Sequence, residues 1–365
     1  MSSQPKSVRP RESSKLLGLE LIRFVCACAV LFWHYQHFAF APNGSFALTR
    51  SKQPFHAAFG LLYDHGFYGV HIFWCISGYI FFWKYGAAIA ERTLGFKKFF
   101  ILRFSRLYPL HFLTLLLVLV LQSLYFLNHK YFFVYQSNDL EHFLSQLILA
   151  SDWGFVRGDS FNGPIWSISV EVLVYLGFFV ILRSFGRMLL INVGVVFLCV
   201  VATLMRVSSP IIECLAFFYT GGLSALATLE FHSSGKRYWR VTAIFVLAIF
   251  VPLIIVGLKL YQSRYFSFFA LLIYTGALLS YAAQDFPWHP RVKNMLEVAG
   301  NMTYSSYLIH FPVQLAIVLL YQTGIPIYSN MFFVQYMAIT LALAYIIYRY
   351  FERPAQDFIR KRWIA

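Results

Sequence analysis

The chain has 365 residues, of which 59% are hydrophobic and 12% charged, and a formal net charge of +15 at pH 7. A soluble fold of that length has no use for so much apolar surface, whereas membrane spans of about 20 residues each require it. No repeat and no long polar block interrupts the pattern, which leaves no room for a second, soluble domain.

Apolar runs at 17–40, 66–86, 107–127, 165–183, 188–206, 211–230, 241–260, 266–283, 302–321 and 330–350 read as helices. The pattern predicts an all-α, polytopic integral membrane protein of about ten transmembrane helices forming one bundle. A basic tail (1–15), a transmembrane domain (16–352) and a C-terminal tail (353–365) would make up the chain. Forty Phe, 24 Tyr and eight Trp suit aromatic belts at the two interfaces.

The first run, Leu16 to Phe40, holds Arg23 and His34. Eleven residues make about three helical turns, so the two side chains share a face about 16 Å apart along the axis. Ionisable groups inside a span are costly and are candidates for function. A guanidinium and an imidazole at this spacing suit a phosphate grip and a proton-transfer group, separated by about the length of a pantetheine arm. The run is too long and too interrupted for a cleavable leader, so a signal anchor is expected.

The second run, FYGVHIFWCISGYIFFW, carries His71, either a packed polar residue or a second active-site imidazole, and Ser77-Gly78, which permits close helix approach. The segment KKFFILRFSRLYPLH reads as a loop into the third helix, with Arg103 and Arg106 on one side of a helical turn. Those two serve either as an interfacial anchor or as a clamp on phosphates, to which the planar guanidinium is suited. Segment 140–150 is too short to span and reads as an interfacial or re-entrant helix.

Before the fourth helix, FNGPIWSISVEVLVYLGFF puts Pro164 at a first helical position and Glu171 about 8–10 Å below the surface. Ser167 and Glu171 form an i,i+4 pair, with Ser169 between them. By depth, His34 is the expected partner of Glu171, a structural hydrogen bond to a Tyr or Ser being the alternative. The run GNMTYSSYLIHFPV places Ser306, Tyr307 and His310 on one face. His310 is expected in the cytoplasmic half, too far from His34 to join it, either lining a donor tunnel or simply packed. The terminal RYFERPAQDFIRKR reads as a helix stop and anchor.

Five Cys, at 26, 28, 75, 199 and 214, all fall in predicted spans without metal-ligand spacing, so free buried thiols and no metal are expected. With the N-terminus inside, 22 of the 30 Lys and Arg fall on the inner side and seven on the outer. That bias puts both termini in the cytoplasm and accounts for the net charge without a nucleic-acid partner.

Taken together, these motifs resemble the membrane-bound acyltransferase-three family over residues 16–360. The resemblance is carried by Arg23 and His34 with ten residues between them, by IFWCISGY, RFSRLYP, WSISVE and YSSYLIHFPV, and by the closing FERP. Many members have Asp or Pro at the position of His71, and some append an SGNH-type hydrolase-like domain that this chain does not show. The resemblance implies transfer of an acyl group, commonly acetyl, to a sugar hydroxyl or similar acceptor. The donor would be acetyl-CoA or another acyl-CoA, used as substrate, with no tightly bound cofactor. The setting would be a bacterial inner membrane, among membrane lipid.

On that reading Arg103 and Arg106 hold the nucleotide phosphates and Arg23 contacts a phosphate or the upper arm. Tyr307 and His310 line the donor path. His34 acts as general base or as a transient acyl carrier, and Glu171 orients it. Groups near Ser77, with Ser167, Ser169 and His71, line the acceptor or oxyanion site. The competing class is a proton-coupled transporter, which buried Arg, His and Glu would also serve. The two halves of the chain lack the matching interrupted spans common in such carriers.

Overall fold

The computed structural model describes residues 16–40, 48–207, 209–233, 246, 266–321 and 324–364. The described residues are all-helical, with 79% helix and no strands. Helix α1 (Leu17–His34) runs on into a 3₁₀ turn, Tyr35–Ala39. A short α2 (His56–His65) precedes α3 (Tyr68–Ala90), α4 (Phe96–His129) and α5 (Leu140–Leu147). There follow α6 (Ile165–Phe185), α7 (Leu189–Leu204), α8 (Pro210–Ser233), α9 (Phe266–Ala282), α10 (Pro290–Asn301) and α11 (Thr303–Tyr321). Helix α12 (Asn330–Ile347) passes through a π-turn, Tyr348–Glu352, into α13 (Arg353–Trp363).

Among the described residues seven helices are long and apolar enough to cross a membrane: 17–39, 68–90, 96–129, 165–185, 210–230, 303–321 and 330–363. Leu189–Leu204 and Ser267–Ala282 are apolar but shorter. At 1.5 Å per residue each spans only about 25 Å of a hydrocarbon core about 30 Å thick. The predicted span 241–260 lies, but for residue 246, outside the described residues. The protein is therefore a multi-pass membrane protein.

Two local readings change. Residues 96–106 are not a loop: α4 is one helix of 34 residues with Pro109 inside it, so Arg103 and Arg106 project from a continuous rod. The C-terminal segment is also more than a stop, since α13 packs along α4 through Arg360. Segment 140–147 is the expected short helix, started by Asp139, whose carboxylate accepts from His142 N at 3.0 Å.

Helices α3 and α8 meet backbone to backbone. A Cβ on Gly78 would overlap the Phe218 carbonyl, and one on Gly221 would overlap the Cys75 carbonyl. Small residues allow such approach where lipid supplies no hydrophobic drive for association. One buried apolar cluster joins α3, α6 and α8 through Phe81, Phe178 and Phe218. A second, with Phe32, Phe311, Phe333 and Tyr336, joins α1, α11 and α12.

Candidate functional site

Helix α1 carries the site's two poles. Near its last turn, His34 Nδ1 lies 3.0 Å from the Val30 carbonyl. A carbonyl has no proton to give, so Nδ1 holds the hydrogen and Nε2 keeps the basic lone pair. The His34 ring lies 4.7 Å from that of His310 and 4.9 Å from that of His37, centroid to centroid. His310 is set the same way: its Nδ1 donates to Tyr307 O at 2.6 Å, while its buried Nε2 has no partner. Gln314 braces the group, donating to His34 O at 2.8 Å and accepting from His37 Nδ1 at 3.0 Å.

His310 thus joins His34 directly, contrary to the expected separation by depth. Gly300, at the end of α10 just before α11, packs against Glu20 in the first turn of α1, and from there α11 runs beside α1 and brings the His310 and His34 rings together. His37 and Gln314 were missed in the sequence, although Gln314 stands one helical turn beyond His310 on the same face.

From the opposite, arginine end of α1 a cavity of about 320 Å³ runs inward. Glu20, Arg23, Arg103, Arg106, Gln356 and Arg360 surround its mouth, and Ser77, Glu171 and Tyr175 its middle. Ser167, Tyr304 and Tyr307 complete the lining. The Ser77 and Tyr175 hydroxyls are the hydrogen-bonding neighbours of the Glu171 carboxyl, and Oε1 of Glu171 is buried without a partner. Glu171 therefore turns toward α3 and does not hold His34, whose ring faces α11 instead. At the far end Ser167 Oγ meets Tyr307 OH at 2.7 Å.

Arg23 lines this cavity and His34 does not, so the two groups that share a face of α1 do not open onto one cavity. The Ser167–Tyr307 hydroxyl pair stands between, and Tyr307 leads to His310 within one turn of α11, their rings 6.0 Å apart.

Each arginine expected to grip phosphate already has a protein partner. Arg23 pairs with Glu20 at 3.0 Å. Arg103 donates to Tyr85 OH at 2.6 Å and lies over the Phe81 ring, 4.7 Å from its centroid. Arg106 pairs with Glu352 at 2.9 Å, and Glu352, 2% exposed, also accepts from Ser305 Oγ at 2.5 Å. The fourth, Arg360, escaped the sequence reading because it sits in a run that looks like an interfacial anchor. It donates to Ser105 Oγ at 3.1 Å.

A family model described as an acyltransferase domain matches residues 16–349. The chain belongs to the acyltransferase 3 family. No curated protein and no solved structure matches it. The matched region holds the three imidazoles and most of the cavity wall, so this acyltransferase 3 protein is a transferase of acyl groups that works in a membrane.

Two expected lining residues of the acyltransferase lie elsewhere. His71 pairs with Glu213 of α8 at 3.1 Å and packs on Trp74 and Phe217, away from the cavity lining. Its neighbours Val70, Phe73 and Trp74 take that place because they project toward α6 and α11. Ser169 instead holds the long loop before α6: its Oγ accepts from Asp152 N at 3.1 Å and its carbonyl from Trp153 Nε1 at 2.8 Å.

That loop covers the histidine end. Tyr135 packs its ring on Gly163, where any Cβ would collide with it, and reaches His37 and Phe311. His142 has an acceptor at each ring nitrogen, Asp139 Oδ1 at 2.8 Å and Arg157 O at 3.1 Å. Burial alone would lower its pKa, but these two acceptors favour the doubly protonated ring and leave it raised above the ordinary value. Asp139, bonded to His142 N and its ring, is held below the usual carboxylate range. Burial pushes the Asp152 and Asp159 carboxyls up.

Proposed function

We propose that the protein transfers an acyl group, most simply acetyl, from an acyl-CoA arriving at the arginine end to a hydroxyl acceptor arriving at the histidine end. The acceptor class is a cell-surface glycan or a related hydroxyl compound. The setting is a bacterial inner membrane with the arginine end toward the cytoplasm, in keeping with the Lys and Arg bias. The observation that carries the reading is the polar line through the protein. An arginine-mouthed cavity ends on a hydroxyl pair one helical turn from an imidazole pair.

In this mechanism the pantetheine arm lies in the cavity, where its amide N–H groups need acceptors in a low-dielectric setting. Glu171, with one oxygen unpartnered, supplies one. The thioester displaces the contact between Ser167 and Tyr307 and comes up to His34. His34 Nε2 takes the proton of the acceptor hydroxyl as its oxygen attacks the thioester carbonyl. The tetrahedral adduct collapses with loss of the CoA thiolate, to which the imidazolium returns the proton. Tyr307 and Ser167, whose hydroxyls line the cavity, turn from the Pro164 carbonyl to donate to the oxyanion. His310 keeps a second neutral ring beside the first, where a positive charge on His34 is shared with a bare nitrogen rather than opposed by another cation.

The test uses the purified chain with labelled acetyl-CoA and whole-cell glycan as acceptor. His34→Ala is expected to reduce labelled product by at least about a hundredfold, the scale of lost general-base catalysis. Unchanged labelling would overturn the proposal.

A further inference from the structure

At the arginine end the cavity opens into a second hollow of about 470 Å³, with Arg106, Asn301 and Gln356 common to both walls. This hollow lies between α10, the last turns of α12 and the start of α13. Its shape depends on the π-turn at Tyr348–Glu352. A π-turn inserts one extra residue into a helix, and such insertions recur at functional positions. Here the insertion turns Glu352 inward to Arg106 and Ser305, while Arg349 and Arg353 on either side remain exposed on the wall of the hollow.

Those two guanidiniums differ from the four around the cavity mouth. Arg23, Arg103, Arg106 and Arg360 are all bonded to protein groups. Arg349 and Arg353 have no hydrogen bond or ion pair among the described residues, and each retains its full fork of donors. Two adjacent unmatched guanidiniums are suited to phosphate. The rest of the wall suits a nucleoside. Tyr345 and Tyr348 offer flat faces on which a base can stack, and Asn294 offers an amide to its edge. Asp357 lies on the same wall. Its carboxylate repels phosphate but accepts from an exocyclic amine or from ribose hydroxyls, so the charges assign the two ends of a nucleotide to different parts of the hollow.

We propose that this hollow binds the nucleotide end of the acyl-CoA donor, with the phosphates on Arg349 and Arg353 and the adenosine against the two tyrosines. The inference rests on the acyl-CoA reading of the main site. It moves the phosphate grip from Arg103 and Arg106, which the fold already occupies, to two residues in a stretch that reads in the sequence as an anchor.

The experiment measures equilibrium binding of CoA and of 3′-dephospho-CoA to the full-length protein in detergent, for wild type and for the double variant Arg349→Ala, Arg353→Ala. Wild type is expected to bind CoA at least tenfold more tightly than 3′-dephospho-CoA. The double variant is expected to lose tenfold or more in CoA affinity, and the ratio between the two ligands to collapse toward one. Replacement of both by Lys is expected to restore part of the affinity, since charge is kept and the fork is lost. CoA affinity unchanged in a folded double variant would overturn the proposal while leaving the donor reading intact. Absence of any CoA binding or acetyl-CoA turnover by wild type would overturn the donor reading itself. Should the double variant fail to fold, each single substitution is expected to weaken CoA by threefold or more, and two unaffected single variants would equally reject the site.

Discussion

At the scale of single residues, the assignment of protons matters most. Backbone carbonyls fix Nδ1–H on both His34 and His310, so the two basic nitrogens are Nε2 without any carboxylate to orient them. Glu171 then has a different task, and the two roles give different kinetics. With Glu171 as an acceptor for the donor's arm, Glu171→Ala is expected to raise the KM for acetyl-CoA about tenfold, on the order of 1.4 kcal/mol, with kcat within twofold. A large fall in kcat at unchanged KM would return Glu171 to the imidazole. Glu352 is a structural counterpart. Removing it strands the Arg106 charge and leaves Ser305 without its acceptor. Glu352→Ala is expected to cost about 3 kcal/mol, the scale for breaking one side of a buried pair, read as a lower melting temperature in detergent.

At the scale of elements, the crossing of α3 and α8 depends on glycine at two reciprocal points. Gly221→Val would drive a branched side chain into the Cys75 carbonyl. The expected loss is about 3 kcal/mol, with a matching fall in melting temperature, whereas Gly194→Ala, which has open space around it, is expected to change little. The loop over the histidine end has its own pH dependence. His142 is raised above its ordinary 6.5, so its tie to Arg157 is complete below pH 6.5 and lost as pH rises through the raised value. Asp139 is depressed below 3.8, so its share is present above that pH and lost on further acidification. Hydrogen exchange in residues 148–164, corrected for intrinsic rate, is therefore expected to quicken as pH rises above about 6.5. His142→Gln should reduce that dependence, the raised Asp152 and Asp159 carboxyls accounting for what remains.

The elements also mark where sequence patterns stop being informative. Apolar runs located every long helix among the described residues, because in a membrane backbone groups must be satisfied within the segment itself. Which residues share a cavity was less accessible. His310 was misplaced because its depth depends on where α11 starts relative to α1, a matter of packing between Gly300 and Glu20. Arg360 and the π-turn went unseen because an inserted residue changes which face points inward, and periodicity counted at 3.6 does not register it. Ser77, Ser167, Tyr307 and the three arginines do line the cavity, each from a motif whose spacing follows ordinary helical turns.

At the scale of the whole molecule, the proposed orientation rests on the Lys and Arg bias and is open to direct test. Phe155, 73% exposed, lies in the loop at the histidine end, and Lys293 is exposed on α10 at the arginine end. The native cysteines are a quiet background, since four of the five are buried. Phe155→Cys is expected to react with a membrane-impermeant maleimide added to intact cells, and Lys293→Cys only after the membrane is opened. The reverse pattern would invert the assignment of donor and acceptor sides.

The hydroxyl contact between Ser167 and Tyr307 has one more consequence, for the cell rather than for the reaction. A bore lined with charged and hydroxylated groups from one face to the other would conduct protons, and a membrane that stores energy as an ion gradient cannot tolerate such a leak. The Ser167 and Tyr307 side chains, 2.7 Å apart, leave no room for a file of water between them, and both hydroxyls also reach the Pro164 carbonyl, an acceptor with no proton to pass on. On the proposed reading they form a plug that only the neutral arm of the donor need push aside, which closes the path whenever no donor is bound.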